Sequence, residues 1–303
     1  MIHSTKTPWL IVAAFLFTTC AFAQKPTPKP KSSSKPVIFA VLEDGKRIEP
    51  IASVDGGKLV ELNFGESVAD KGFANAYYKP KSAYPLIFGG AADGSVVIVR
   101  ANSGAECGGS SAETIPKPVK AKLSGLVMAL ATNAKFNTGT AAFRRKPTLE
   151  ERREIEKLVI AEFTKHGASV AAVKNLRYHN LTALDVEDDD LPEFVGSYWI
   201  APTPSERRLL FFIAEQDANG KILFTTAEHS VVGPDDVMSG DIKDLDTGLG
   251  HELLLDVFDF DNDGVREIFT IGEANEGNNY YVYKRTAGKW SKVYETYDYR
   301  CAY

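Results

Sequence analysis

Four carboxylates between positions 259 and 267 are the residues best spaced to do chemistry. In Asp259-Phe260-Asp261-Asn262-Asp263-Gly264-Val265-Arg266-Glu267 the first three acids alternate with other residues. A glycine follows the third, and Glu267 lies eight positions beyond Asp259. Hard oxygen donors arranged around a tight turn are what a calcium ion requires. The chemistry expected of Asp259, Asp261, Asp263 and Glu267 is therefore cation binding that staples a fold. An EF-hand is excluded, because that loop needs a bidentate glutamate at position 12 between two helices. Here position 12 is Thr270, and the flanks are apolar, strand-like runs.

Enzymatic patterns are missing from the chain. It has no G-x-S-x-G elbow, no H-E-x-x-H, no phosphate-cradling glycine loop and no dinucleotide fingerprint. His166, His179, His229 and His251 are scattered, and His251-Glu252 reads as a surface pair at a strand end. A glycosidase would need two carboxylates, and those that stand out are committed to acidic loops. The expected function is thus a non-catalytic binding or envelope-associated module, with a protein or a glycan as its partner. The alternative is a secreted or periplasmic hydrolase whose site is assembled from dispersed residues. Aromatics crowd the C-terminus, with Tyr280, Tyr281, Tyr283, Trp290, Tyr294, Tyr297, Tyr299 and Tyr303. Strand alternation puts Tyr281 and Tyr283 on one face and Tyr280 on the other.

The elements that must position the acids form an internal repeat. Asp185, Glu187, Asp189 and Glu193 match Asp259, Asp261, Asp263 and Glu267 in kind at an offset of 74 residues. In each copy an apolar strand leads into the loop, another leads out, and two more follow. The pattern predicts two tandem four-stranded antiparallel, blade-like units over about 181–250 and 251–303. Before them, Pro147-Thr148 opens one central helix. Thr148 and Glu151 form its capping box, Ile155, Leu158, Val159 and Phe163 its apolar face, and Gly167 its stop. Residues 37–145 read as a β-rich region with Asp44-Gly45 and Asp93-Gly94 as hairpin turns. The fold class expected is mainly β with one central helix (α+β), with residues 146–303 following the N-terminal region.

The acid at the ninth position with strand flanks resembles the calcium loops of FG-GAP/VCBS-type repeats, found in integrin-α-like β-propellers. The likeness covers residues 181–303 and is specific over 259–267. It implies a structural Ca2+ held by Asp259, Asp261, Asp263 and Glu267, with the carbonyl of Val265 between them. A second, weaker site would use Asp185, Glu187, Asp189 and Glu193. The first copy departs from the pattern, with Asp190 in place of the glycine and Glu187 in place of an aspartate. Two copies are also fewer than the four blades that closing a propeller needs. Phe88-Gly89-Gly90-Ala91 resembles the sequence that names the family, but no acidic cage follows it, and it reads as a hairpin turn.

The N-terminus predicts export. Lys6, the apolar run over 9–17 and Ala21-Phe22-Ala23 make a signal peptide over 1–23, cleaved before Gln24. An uncleaved anchor is the alternative, and so is lipidation at Cys20, although Phe17-Thr18-Thr19 lacks small residues. Residues 24–36, rich in Pro, Lys and Ser, form an extended linker. The expected location is periplasmic or extracellular, with no transmembrane segment after cleavage. Net charge is −5, or −6 without Lys6, which argues against nucleic acid as a partner. Cleavage leaves Cys107 and Cys301, an even pair that reads as a disulfide in an oxidising compartment. No basic residue flanks Cys107 to make it a reactive thiol instead.

Overall fold

The run Val37-Ile38-Phe39-Ala40-Val41-Leu42 is apolar at every position, as a strand covered on both faces must be. In the computed structural model, which describes residues 35–62, 67–102, 110–134 and 143–299, it is β1 (Val37–Leu42), buried throughout. The signal segment, most of the linker, Cys20, Cys107, Cys301 and Tyr303 lie outside the described residues, and so does the expected disulfide. With β2 (Arg47–Asp55), β4 (Ala83–Phe88), β5 (Ala91–Ala101), β6 (Ala112–Pro118) and β7 (Ala129–Thr132), β1 forms an antiparallel sheet in the order β1-β7-β4-β5-β6-β2. Pairing of β2 back onto β1 closes it into a six-stranded barrel. The short β3 (Lys58–Val60) extends the edge of β2.

Alternation along β1 divides its side chains between two cores. Val37, Phe39 and Val41 join the barrel interior, where α1 (Ser67–Tyr77) packs Phe73, Ala74 and Tyr77. Ile38, Ala40 and Leu42 face outward and meet a second sheet. That sheet is the meander β13 (Glu252–Phe258), β14 (Glu267–Ala274), β15 (Gly277–Thr286) and β16 (Lys289–Tyr299). Its Leu255, Phe258, Phe269, Tyr280 and Val282 lie on the barrel. Its opposite face, with Leu254, Val257, Ile268, Tyr283 and Trp290, lies on Leu184, Val195, Phe211 and Ile213 of a third sheet and on Val186 of the loop beside it. Each such side chain contributes roughly 1.5–3 kcal/mol by leaving water.

The third sheet is β12-β11-β10-β9-β8, built from β8 (Arg144–Arg145), β9 (Arg177–Leu184), β10 (Glu193–Thr203), β11 (Glu206–Gln216) and β12 (Ile222–Val232). Its far face is covered by α2 (Leu149–Lys165) and α3 (Val170–Val173), through Ile155, Val159, Phe163 and Ala172. The Thr148–Glu151 capping box is formed, and Gly167 is left-handed at φ +81°. The described residues belong to one compact unit.

The chain is thus mainly β, in several antiparallel sheets, with a four-stranded sheet at the C-terminus. The expectations need three corrections. Among the described residues there are three α-helices rather than one. The first repeat unit gains a fifth strand, because Arg144 and Arg145 pair with Leu184 and Ala183. Asp93-Gly94 is not a hairpin turn but lies inside β5, where the Asp93 carboxylate accepts from Lys120 N at 2.9 Å and Ala121 N at 2.6 Å. The hairpin is at Gly89-Gly90, between β4 and β5.

Candidate functional site

The two acidic loops fall at equivalent places, between β9 and β10 and between β13 and β14, and they share a backbone path. Asp188 and Asp190 have φ of +57° and +64°, while Asn262 and Gly264, each 74 residues later, have +60° and +94°. Aspartate and asparagine tolerate the left-handed region better than most residues, so the first loop forms without the glycine. The hydrogen bonds repeat as well. Asp185 and Asp259 each accept from the amide four residues on, at 3.3 and 3.2 Å. Asp189 and Asp263 each accept from the amide two residues on, at 2.9 Å. The closing glutamates reach back to Val186 N at 2.7 Å and Phe260 N at 3.3 Å.

The loops differ in the cation they meet. Glu267 is fully buried, and the Lys284 ammonium lies 2.9 Å from it, 2.6 Å from Asp261 and 2.7 Å from Asp263. Burial alone would lower the lysine, but the carboxylates outweigh it and hold the ammonium well above its ordinary range. Burial raises Glu267 to about 7 against the pull of Lys284. Around the first loop, Glu215 replaces the lysine on the neighbouring strand, and Arg285 of the second unit reaches across to Glu187 and Glu215, both at 2.8 Å. Glu193 has burial as its dominant influence and rises to about 8.

Oxygens of Asp259, Asp261 and Glu267 lie within 4.8 Å of one another, a convergence that no other described group of acids matches. A donor set made only of oxygen, already gathered around an ammonium, fits a hard divalent cation. Asp263 faces the same lysine, while Asp185, Glu187, Asp189 and Glu193 are not gathered in this way.

Arg266, inside the second loop, ties the loops together. Its guanidinium donates to the carbonyls of Asp185 and Val186 at 3.2 and 3.3 Å and to Asp188 at 2.9 Å. It also lies against Gly90 of the barrel hairpin, where a Cβ would collide with its side chain. Beside it, Gly89 N donates to buried Asp256 at 3.0 Å, and Arg144 donates to the same carboxylate at 2.9 Å while stacking on Phe88. These contacts join barrel, second unit and first unit at one point.

A separate cleft of about 310 Å3 opens where the third sheet and the C-terminal meander part. It is lined by Ser197, Phe211, Glu228, Glu252, Asn279 and Tyr281, among others. His251 is buried here with 1% of its surface exposed, not at the surface as its sequence context suggested. One ring nitrogen faces the Leu245 carbonyl at 2.9 Å and the other Ser197 Oγ at 3.4 Å. Burial, then the neighbouring His179, lower it to about 3, so the ring is neutral. Glu252 accepts from Thr270 Oγ1 at 2.6 Å, and burial raises it to about 7. Sequence reasoning missed this cleft because its residues come from six strands and their approaches. The one local signal was the pair His251-Glu252.

As expected from alternation, Tyr281 faces the cleft side and Tyr280 the barrel. Tyr297 and Tyr299 are exposed on β16, with ring centroids 6.3 Å apart. No described helix is long and apolar enough to cross a membrane. Comparisons with protein-family models, curated proteins and solved structures found no match.

Proposed function

We propose that this chain is an exported, calcium-stabilised β-rich protein acting as a non-catalytic binding or envelope-associated module that recognises another protein or a glycan. One observation carries the reading: the loop carboxylates turn inward onto their own backbone amides and onto cations of β15. Groups used in this way hold sheets together and face no substrate. Asp259, Asp261, Asp263 and Glu267 would hold the ion, which supplies charge neutralisation and a crosslink across the β13–β14 turn. Lys284 supplies part of that neutralisation itself and would be the group displaced.

Calcium titration of the purified protein, followed by thermal melting, tests the reading. A rise in melting temperature supports it, because a ligand bound only by the folded state stabilises by mass action. Equal melting in calcium and chelator would sink the calcium part.

A hydrolase is the second reading, favoured by Ser197 Oγ near His251 at the cleft. Against it, the other nitrogen of His251 faces a carbonyl instead of a carboxylate, and the serine itself is 2% exposed. Turnover of chromogenic esters or glycosides, abolished by Ser197→Ala or Glu252→Gln, would establish the hydrolase and overturn the non-catalytic reading.

A further inference from the structure

The C-terminal meander ends on β16, which among the described residues pairs with β15 on one side and with no strand on the other. Near its start, Thr226 of β12 donates to the Trp290 carbonyl at 3.1 Å, so the open edge runs over 291–296. An open edge offers a row of backbone donors and acceptors to any further strand. Lysines and bulges commonly blunt such edges. β16 has both, yet its charges are of both signs, and their placement is not random.

About the point between Val293 and Tyr294 the strand is complementary to its own reverse. Lys292 mirrors Glu295, Ser291 mirrors Thr296, and Val293 mirrors Tyr294. Farther out, Trp290 mirrors Tyr297 and Lys289 mirrors Asp298. Trp290 and Asp298 are buried within the chain, so the six central residues carry the recognition. A two-fold interface brings one patch against itself, residue i on j and j on i. Antiparallel pairing of two β16 strands would set each lysine opposite a glutamate, each serine opposite a threonine and each valine opposite a tyrosine. Pairs of these kinds are the ones that stabilise neighbouring strands.

The backbone supports this register independently of the sequence. Residues directly opposite in an antiparallel pair share a face of the sheet. In a regular strand Lys292 and Glu295, three positions apart, would point to opposite faces. The bulge removes that conflict, because Lys292 lies opposite Tyr283 and Tyr294 opposite Val282, with Val293 inserted between. Lys292 and Glu295 therefore share the face of Tyr283 and Tyr281, and Ser291 and Thr296 share that of Lys284 and Tyr280. The common face also shows in the 3.5 Å approach of Lys292 Nζ to Glu295 within the chain. At the centre, Val293 is an apolar side chain 50% exposed.

We propose that two copies of this chain associate by antiparallel pairing of β16 with β16, about a two-fold axis between Val293 and Tyr294. The two meanders then form one continuous sheet. The inference goes beyond the binding-module reading and does not rest on it. A contact along one strand is smaller than the interface of a permanent dimer, so the dimer is transient, with a dissociation constant on the order of 10–100 µM.

Sedimentation velocity of the purified protein, from about 5 to about 500 µM, tests the proposal. The wild type should pass from monomer to dimer over that range. Glu295→Lys and, separately, Lys292→Glu should each weaken the dimer by roughly tenfold or more, because each turns two attractive cross-strand pairs into like-charge pairs. Mixing the two variants in equal amounts should restore dimers, since every lysine then faces a glutamate. Melting curves check that both variants are folded, and a damaged fold would not be rescued by mixing. The proposal is overturned if the wild type stays monomeric at about 500 µM. It is equally overturned if either folded variant dimerises as the wild type does, or if the mixed variants remain monomers.

Discussion

Lys284 and Arg285 are neighbours on one strand, yet they serve different loops. Lys284 meets Asp261, Asp263 and Glu267 of its own unit, while Arg285 meets Glu187 and Glu215 of the other. Removing Lys284 strands a fully buried glutamate, so Lys284→Ala should cost about 2–3 kcal/mol in chelator, measured by urea unfolding. The same variant should gain more from calcium than the wild type, since the ion no longer competes with an ammonium. An equal gain in both proteins would argue that the lysine and the ion do not share a place. Glu252 makes a prediction of opposite electrostatic character. Its folded value, about 7, exceeds the ordinary 4.5, so the folded state holds the proton more tightly than the unfolded chain. That stabilisation is complete below pH about 4.5 and is lost as the pH rises through about 7. Glu252→Gln should therefore gain on the wild type between about pH 5 and about pH 8, by at most about 3 kcal/mol. Urea midpoints at the two pH values check this, and a difference that shrinks with pH would refute it.

At the scale of elements, the shared path of the two acidic loops was legible because its signals are local. Acid spacing fixed the two loops, and strand alternation fixed the faces of Tyr280 and Tyr281. The capping box at Thr148 and Glu151 located the start of α2, and Thr148→Ala should cost about 1 kcal/mol in thermal unfolding. The barrel was not legible. Its closure depends on β1 pairing with the distant β7 as well as with its hairpin partner β2, and β6 and β7 carry no distinctive pattern. Nor did the sequence reveal α1, or the five-stranded sheet, whose added strand is only Arg144 and Arg145. His251 was misread for a related reason: an acid beside it suggested solvent, while strand packing buries it. The joint at Gly90 yields an element-level test. Gly90 has φ +74°, and a side chain there would strike Arg266. Gly90→Val should destabilise by more than about 2 kcal/mol, combining backbone strain with the loss of the loop–hairpin contact. A neutral effect in urea unfolding would mean that the joint carries little.

At the scale of the molecule, the units stack in the same sense. The Val186–Val195 face of the first packs on the second, and the equivalent Phe260–Phe269 face of the second packs on the barrel. Helices and barrel cover the two outer faces, so two units suffice without closing a ring. The C-terminal meander is the middle layer, shared by two cores, and the loops lie where the layers are joined by Arg266. On the proposed calcium reading, a cation bound at the 259–267 loop should therefore stabilise the whole compact unit. Differential scanning calorimetry of the purified protein in excess calcium and in chelator tests this most directly. At calcium about a hundredfold above its dissociation constant, linkage gives about 2.7 kcal/mol, or a shift of roughly 5–10 °C in a single transition. Asp259→Asn combined with Asp261→Asn should abolish that shift. Coincident transitions in calcium and chelator for the wild-type protein would contradict the account.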